Sequence, residues 1–146
     1  MKSLKIYHIT IFIIVVLILT VSALKAQHAD AILGKYLLPN GLKVKIFKID
    51  NKYYGEITEL EGFVNGEVYD VENPDESKRE ELLVGKVIIW NLVYDEQKKR
   101  WIEGRMYGPD KGITVDLEIL EVNRNTILIE GSKYFFSKEM KWKRLN

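Results

Sequence analysis

Residues 113–119 read Ile-Thr-Val-Asp-Leu-Glu-Ile, with an apolar side chain at every second position and a polar one between. Successive side chains of a β-strand point to opposite faces, so this pattern predicts a strand with one face in a core and the other in water. Half-buried strands are typical of antiparallel sheets, whereas the strands of parallel sheets are apolar on both faces. The stretch therefore indicates an antiparallel β-structure.

Short runs rich in β-branched and aromatic residues recur through most of the chain. Between them stand residues that favour turns, at 39–41, 50–51, 65–66, 95–96, 109–112 and 123–125. Strands at this spacing favour an all-β barrel or sandwich. Residues 87–94 are apolar on both faces except at Asn91, so this strand is expected to be covered on its outer side. A last strand carries large apolar side chains on one face, at Tyr134, Phe136, Met140 and Trp142.

One short helix is predicted near residues 74–84. Asn73 suits the N-cap position, Pro74 suits the first helical position, and Glu76 completes a capping-box-like pattern with Asn73. Gly85 can end the helix. This helix is the candidate for the outer cover of the doubly apolar strand.

An uncharged apolar run occupies residues 9–21, with Lys2 and Lys5 before it and Ala23 and Ala26 after it. A basic start, an apolar centre and small residues at the exit are the layout of a secretory signal peptide. The run therefore predicts an N-terminal apolar helix that directs export. Cleavage is expected after Ala26, with cleavage after Ala23 as the alternative.

The predicted organisation is a signal peptide at residues 1–26 and a single domain at residues 27–146. An uncleaved membrane anchor is the alternative, because residues 6–24 make up 19 positions, which is enough to cross a bilayer. In either case the domain is expected outside the cytoplasm.

The composition excludes several classes of protein. The first 26 residues carry three lysines and no acid, so removing them changes the balance from 22 basic and 21 acidic residues to 19 and 21. A near-neutral domain lacks the basic excess of a nucleic-acid binder. The absence of cysteine excludes disulfides, a lipid-modified cysteine, thiolate zinc sites and thiol catalysis. The histidines, His8 and His28, both precede the predicted strands, which therefore lack the commonest general base.

Short motifs follow one another between Asp30 and Arg144. They are Gly34-Lys35-Tyr36, Asn40-Gly41, Tyr53-Tyr54-Gly55-Glu56-Ile57, Asn73-Pro74-Asp75, Leu82-Leu83 with Gly85, Trp101 with Gly104, Tyr107 with Pro109, and Trp142-Lys143-Arg144. In this order and spacing the chain resembles the domain of unknown function 2147 family of small exported bacterial β-barrel proteins. The resemblance implies a lipocalin-like, up-and-down antiparallel barrel of about eight strands. It also implies a place in the periplasm or cell envelope, and no known activity.

The resemblance implies how such a barrel closes. Gly34 and Tyr36 lie on the first predicted strand, and Trp142 and Arg144 lie on the last. Lipocalin-like barrels commonly pack an early aromatic side chain against a late arginine where these strands meet, so Tyr36 is expected to contact Arg144. Pairing of the first and last strands leaves the sheet without an exposed edge.

Inward-pointing aromatic side chains are candidates to line a ligand cavity in the barrel. The candidate ligand-binding residues are Tyr53, Gly55, Ile57, Trp101, Glu103, Arg105 and Tyr107. By strict alternation the first three share one face of a strand, and the last four share a face of another. If the second face points inward, Glu103 and Arg105 form a buried charge pair, and if it points outward they are an ordinary surface pair. The alternative to a cavity is a core that side chains fill completely.

Carboxylates cluster before and inside the predicted helix, at Asp70, Glu72, Asp75 and Glu76. Oxygen ligands suit calcium, but the spacing differs from that of a calcium loop, and helix capping and solvation account for these residues. No metal and no cofactor is therefore predicted. A carboxylate-based hydrolase that uses Glu56, Asp70, Asp75 or Glu103 is the least favoured functional alternative.

The sequence thus predicts a non-enzymatic envelope protein that binds a small amphipathic or apolar molecule and no nucleic acid. The alternative is a structural or interaction protein of the cell envelope with a filled barrel. Membrane contact is expected only through the N-terminal segment, if that segment stays uncleaved. The identity of the ligand and the oligomeric state stay open.

Overall fold

The computed structural model describes residues 8–18 and 28–145. The described residues fall into two compact units, divided between Ala31 and Ile32. In the first unit, residues 8–18 form an α-helix whose side chains are exposed. None of the helices in the described parts of the chain combines the length and the hydropathy that a membrane span requires. The predicted cleavage positions after Ala23 and Ala26 lie outside the described residues, so cleavage stays a prediction.

The second unit is a closed barrel of eight antiparallel strands in which each strand pairs with its neighbours in chain order. The all-β, up-and-down barrel predicted from the alternating pattern is therefore confirmed. A short 3-10 helix, Asp30–Ile32, precedes the first strand. The strands are β1 (Gly34–Leu37), β2 (Lys43–Ile49), β3 (Lys52–Glu59), β4 (Val87–Asp95), β5 (Arg100–Gly108), β6 (Ile113–Val122), β7 (Thr126–Lys133) and β8 (Phe136–Leu145).

The barrel closes where β1 pairs with β8, and Tyr36 lies opposite Arg144 there. The Arg144 guanidinium carbon is 5.0 Å from the centroid of the Tyr36 ring. The same guanidinium donates a hydrogen bond of 2.9 Å to the carbonyl of Leu33. A Cβ atom at Gly34 would lie 3.0 Å from Arg144 Nη1, so the missing side chain leaves room for the guanidinium. Trp142, on the same strand as Arg144, is fully buried. The contact expected between Tyr36 and Arg144 is present.

The Tyr36 hydroxyl is part of the same seam. It is buried and donates a hydrogen bond of 2.9 Å to the carbonyl of Ile32. Burial raises the pKa of Tyr36 to about 12, with the positive charge of Arg144 acting in the opposite direction. The hydroxyl therefore keeps its proton, and hence this hydrogen bond, at any ordinary pH.

We expect Arg144→Ala to lower the free energy of unfolding by about 2 kcal/mol, because it removes a cation–π contact and a charge-assisted hydrogen bond together. The thermal melting temperature measures the loss. Lys143→Ala is the matched control, since Lys143 is exposed on the same strand. Equal melting temperatures for the two variants would contradict a stabilising role for the seam.

Two β-bulges disturb the alternation of faces in β4 and β5. Asn91 and Glu103 have positive φ angles of 66° and 63°. Beside them, the register shifts between β3 and β4 and between β5 and β6. A bulge inserts one extra residue, so side chains beyond it change face relative to strict alternation. The prediction that Trp101, Glu103, Arg105 and Tyr107 share one face is therefore wrong.

The cross-strand partners show where these β5 side chains point. Trp101 lies opposite Ile119, which is fully buried in the barrel core, whereas Tyr107 lies opposite Thr114 on the outer face. Glu103 and Arg105 are both exposed. The structure therefore supports an ordinary surface location for Glu103 and Arg105 and not a buried charge pair.

The segment at residues 60–86, which we call the β3–β4 loop, contains the predicted helix in a shorter form. One turn of 3-10 helix, Glu76–Lys78, is present inside the predicted range. Its N-cap is Asp75, which accepts from the Ser77 backbone N–H, and not Asn73 as predicted. The turn begins two residues too late for Asn73 to cap it. The Asn73 side chain instead accepts from the Asp75 backbone N–H at 2.9 Å and donates to Asp70 at 2.7 Å.

The outer side of β4 is covered, as expected from its doubly apolar sequence. Adjacent residues Ile88 and Ile89 are both fully buried, although they point to opposite faces. The 3-10 turn does not provide this cover, because none of its residues is buried. That part of the prediction is wrong.

Candidate functional site

A cavity of about 500 Å³ opens at one end of the barrel. The hairpins β1–β2, β5–β6 and β7–β8 turn at this end, and the β3–β4 loop lies there too. We call the cavity the mouth cavity. Its apolar lining includes Leu38, Met106, Val115, Met140 and Trp142. Polar and charged side chains also line it, at Asn40, Asp110, Lys111 and Lys138. Ligand pockets in proteins typically measure about 300–1,000 Å³, so the mouth cavity could hold a small molecule.

The inward faces of β5 to β8 supply most of the apolar lining. Met106 lies opposite Val115 across β5 and β6. Met140 and Trp142 alternate along β8 and lie opposite Ile129 and Ile127 of β7. Methionine is flexible and polarisable, so two of them let the wall adapt to ligands of different shape.

Gly131 keeps part of the mouth cavity open. It lies on β7 and lines the cavity. A Cβ atom there would have Val115 Cγ2 as its nearest neighbour, at an ordinary contact distance of 3.6 Å. The lack of a side chain at Gly131 is therefore not required by crowding, and it leaves the cavity wider at this position.

A polar rim lies beside the apolar wall. The Asn40 side chain donates a hydrogen bond of 3.0 Å to the Asp110 carboxylate. The loop is tied to the rim as well, because the Val64 backbone N–H donates to the carbonyl of Asn40 at 3.0 Å. Lys111 and Lys138 are exposed. The rim therefore presents two cations beside one carboxylate that is already hydrogen-bonded.

The interior is closely packed beside two glycines that do not line the mouth cavity. A Cβ atom at Gly55 would lie 2.8 Å from Ile89 Cδ1, and one at Gly104 would lie 2.5 Å from Leu92 Cδ2. Leu92 is itself fully buried. These approaches are closer than van der Waals contact, so neighbouring atoms already occupy the space. Close packing beside these two glycines and open space at the mouth therefore coexist in one barrel.

The structure separates the ligand-binding candidates from the mouth cavity. Tyr53, Ile57 and Trp101 are buried in the core. None of the seven candidates is among the described residues that line the cavity. Two sequence patterns could have predicted the apolar lining of the mouth cavity. They are the alternation of Met140 with Trp142 and the position of Val115 in the alternating residues 113–119.

Tyr107 holds the β3–β4 loop against the barrel. Its hydroxyl donates a hydrogen bond of 2.6 Å to Asp70, which is fully buried. Asn73 donates to the same carboxylate, and Lys86 Nζ forms an ion pair with it at 2.7 Å. Lys86 also contacts Glu81 at 2.6 Å. These contacts account for the buried charge, and we call the five residues the loop anchor.

The pKa values in the loop anchor follow from these contacts. Burial by itself would raise the pKa of Asp70, but hydrogen bonds from Lys86, Tyr107 and Asn73 outweigh burial and lower it. Burial, then the hydrogen bond to Asp70, raises the pKa of Tyr107. Asp70 is therefore an ionised carboxylate with its acceptors in use. Among residues 8–18 and 28–145, no group of three or more acidic or histidine side chains is placed to hold a metal ion.

Comparison with known proteins gives one family and one similar fold. The sequence model described as "Uncharacterized protein conserved in bacteria (DUF2147)" matches residues 34–144. Among solved structures, the chain is similar to protein HP1028 of Helicobacter pylori, which is described as belonging to the lipocalin family. The TM-score is 0.67 at 22% sequence identity, over 78% of this chain and 82% of that chain. No curated protein sequence matches the chain. The structural likeness agrees with the lipocalin-like barrel expected from the sequence.

Proposed function

We propose that this chain, which belongs to the DUF2147 family of uncharacterised bacterial proteins, is a non-enzymatic protein that binds a small molecule in its barrel. The observation that carries the proposal is the mouth cavity of about 500 Å³. An eight-stranded barrel is just wide enough either to be filled by side chains or to hold one small ligand. This barrel has room for a ligand in the half next to its open end.

The chemistry of the wall supports an apolar or amphipathic ligand. Burial of apolar surface contributes about 25 cal/mol per Å². Val115, Met140 and Trp142 offer such surface deep in the cavity, and Lys111 and Lys138 offer hydrogen-bond donors at the rim. A molecule with an apolar body and a polar or acidic head matches this arrangement.

The same lining argues against catalysis. Among the described residues that line the mouth cavity, the titratable side chains are Asp110, Lys111 and Lys138. The Asp110 carboxylate is held by Asn40, and no neighbouring histidine lies in the lining to act as a general base. The carboxylates considered for a hydrolase are no better placed, since Asp70 is engaged in the loop anchor and Glu103 is exposed on the outer surface.

Gly131→Val tests the proposed binding site. The valine side chain would project into the mouth cavity from β7 and fill part of it. We expect the affinity for anilinonaphthalene sulfonate, an amphipathic anionic fluorophore, to fall about tenfold or more, which corresponds to about 1.4 kcal/mol. Fluorescence titration of the full chain measures the affinity.

Ser132→Val is the matched control, since it introduces the same side chain one residue further along β7, on the opposite face. It should bind the fluorophore as the unmodified chain does. If Gly131→Val also binds normally while keeping its melting temperature, the mouth cavity is not the binding site.

A structural or interaction protein of the cell envelope is the second candidate. The close packing around Gly55 and Gly104 favours it, since the barrel offers no space for a ligand at these two positions. Normal binding by Gly131→Val would make this candidate the better one.

Export to the periplasm or cell envelope is part of the proposal and rests on the sequence of residues 9–21. We infer that residues 1–26 are removed as a signal peptide, with an uncleaved anchor as the alternative. Sequencing the N-terminus of the mature protein distinguishes the two, because cleavage after Ala26 leaves Gln27 first and an anchor retains the segment.

A further inference from the structure

The tip of the β7–β8 hairpin carries three consecutive aromatic side chains in water. Tyr134, Phe135 and Phe136 are 91%, 100% and 81% exposed. Among the described residues, no other large apolar side chain is as exposed. The sequence pattern placed Tyr134 and Phe136 on the apolar face with Met140 and Trp142. The unbroken register of β7 with β8 keeps Phe136 on that face, but Phe136 lies beyond the buried part of the strand and Tyr134 lies in the turn.

The requirements of the turn do not explain the aromatic residues. Tyr134 has a φ of 56°, in the left-handed region that glycine and asparagine occupy at lowest cost. A bulky aromatic residue is a costly choice at this position. Unfavourable backbone conformations of this kind concentrate at functional sites, where another requirement sets the residue. Contact with a binding partner, and not the conformation of the turn, therefore accounts for aromatic residues at the tip.

The charges around the tip indicate the chemistry of the partner. Residues 133–138 contain Lys133 and Lys138 and no acid. Lys133 Nζ lies 5.9 Å from the centroid of the Tyr134 ring. Aromatic side chains favour the interfacial region of a bilayer, and adjacent lysines favour anionic headgroups. This combination matches an anionic lipid surface.

The size of the tip argues against a second copy of the chain as the partner. An aromatic side chain contributes roughly 200 Å² of contact surface, so three of them supply about 600 Å². A stable protein interface buries about 800 Å² on each partner and needs matching shape. Insertion into lipid requires no shape complementarity.

We propose that residues 133–138, the aromatic tip, insert into the interfacial region of an anionic lipid bilayer and turn the open end of the barrel toward the membrane. Lys138 belongs both to the tip and to the lining of the mouth cavity, so the two features adjoin. This contact goes beyond the proposed function and is independent of it. It also differs from the sequence-based expectation, which allowed membrane contact only through the N-terminal segment.

The absence of native cysteine allows a site-specific test in the full chain. Ser137→Cys, labelled with a nitrobenzoxadiazole fluorophore, reports on the tip while all three aromatic side chains remain. Asn51→Cys, labelled in the same way, is the control, because the β2–β3 turn lies at the opposite end of the barrel. Each position reports on its own surroundings, so attachment of the N-terminal segment to a vesicle does not imitate insertion of the tip.

With vesicles of equal parts phosphatidylcholine and phosphatidylglycerol, we expect a blue shift of the Ser137→Cys label and its quenching by lipids brominated in the acyl chains. The shift should weaken with phosphatidylcholine alone and at high salt. It should be lost when Phe135→Ser and Phe136→Ser are added, with an unchanged circular dichroism spectrum. The Asn51→Cys label should not respond.

Three results would overturn the proposal. The first is a Ser137→Cys label that does not respond to vesicles, and the second is an equal response at both ends of the barrel. The third is a blue shift without lipid that grows with protein concentration, which would identify a second copy of the chain as the occupant.

Discussion

Asp70→Ala is expected to lower the free energy of unfolding by about 3–5 kcal/mol, because it removes the buried partner of Lys86 and leaves two buried hydrogen-bond donors unpaired. Asp70 is fully buried and receives hydrogen bonds from Tyr107 and Asn73 in addition to its ion pair with Lys86. Its loss leaves the Tyr107 and Asn73 donors unpaired, and it leaves the largely buried Lys86 ammonium group with only the half-exposed Glu81. Urea denaturation followed by tryptophan fluorescence measures the change.

Glu81→Ala is the matched control for this variant. Glu81 is the second carboxylate that contacts Lys86, but its side chain is half-exposed, so water can replace it. We expect a much smaller loss than for Asp70→Ala, since exposed ion pairs contribute little. If both variants lose the same free energy, the burial of Asp70 is not what makes the contact stabilising.

The same carboxylate predicts a pH dependence. The pKa of Asp70 is lowered in the folded protein, so the unfolded chain takes up its proton at higher pH than the folded chain does. The stabilisation is therefore complete well above pH 4, approximately the ordinary range of an aspartate, and is lost as the pH falls through the folded-state pKa. The melting temperature of the unmodified chain should fall toward that of Asp70→Asn on acidification. A constant difference between the two down to acid unfolding would contradict this assignment.

Local patterns in the sequence were sufficient to predict the barrel and the pairing of its first and last strands. The alternation in residues 113–119 survives in β6 because no bulge interrupts that part of the strand where it pairs with β5 from Gly104 onward. The contact of Tyr36 with Arg144 depends only on the pairing of the first and last strands, which follows once the sheet is closed. Both features follow from the order of the strands along the chain, so they can be predicted without knowledge of side-chain packing.

The ligand-binding candidates lie outside the mouth cavity for two physical reasons. A bulge at Glu103 is a backbone irregularity matched by one at Asn91 on the neighbouring strand, so no residue pattern within β5 alone reveals it. Whether a barrel is hollow depends on the sum of side-chain volumes from all its strands, which an alternating pattern does not report. The N-cap was misplaced because the helical turn begins at Glu76, two residues later than the sequence pattern indicated.

Gly104→Val is expected to be strongly destabilising. A Cβ atom at this position would lie 2.5 Å from Leu92 Cδ2 and 2.7 Å from the backbone carbonyl oxygen of Leu117. Leu92 is fully buried and has little freedom to move, and the carbonyl belongs to the neighbouring strand. We expect a loss of about 3 kcal/mol or more in the free energy of unfolding, at the upper end of the usual cost of overpacking.

Gly131→Val makes the comparison decisive, because it introduces the same side chain on the inner face of the same barrel. The nearest atom to its Cβ would be 3.6 Å away, which is an ordinary contact, so the added Cβ meets no clash. We expect its melting temperature to stay near that of the unmodified chain while that of Gly104→Val falls by many degrees. Equal melting temperatures would mean that the two halves of the interior are packed alike. The proposed binding function depends on a difference between close packing at Gly104 and free space in the mouth cavity. That result would contradict this difference.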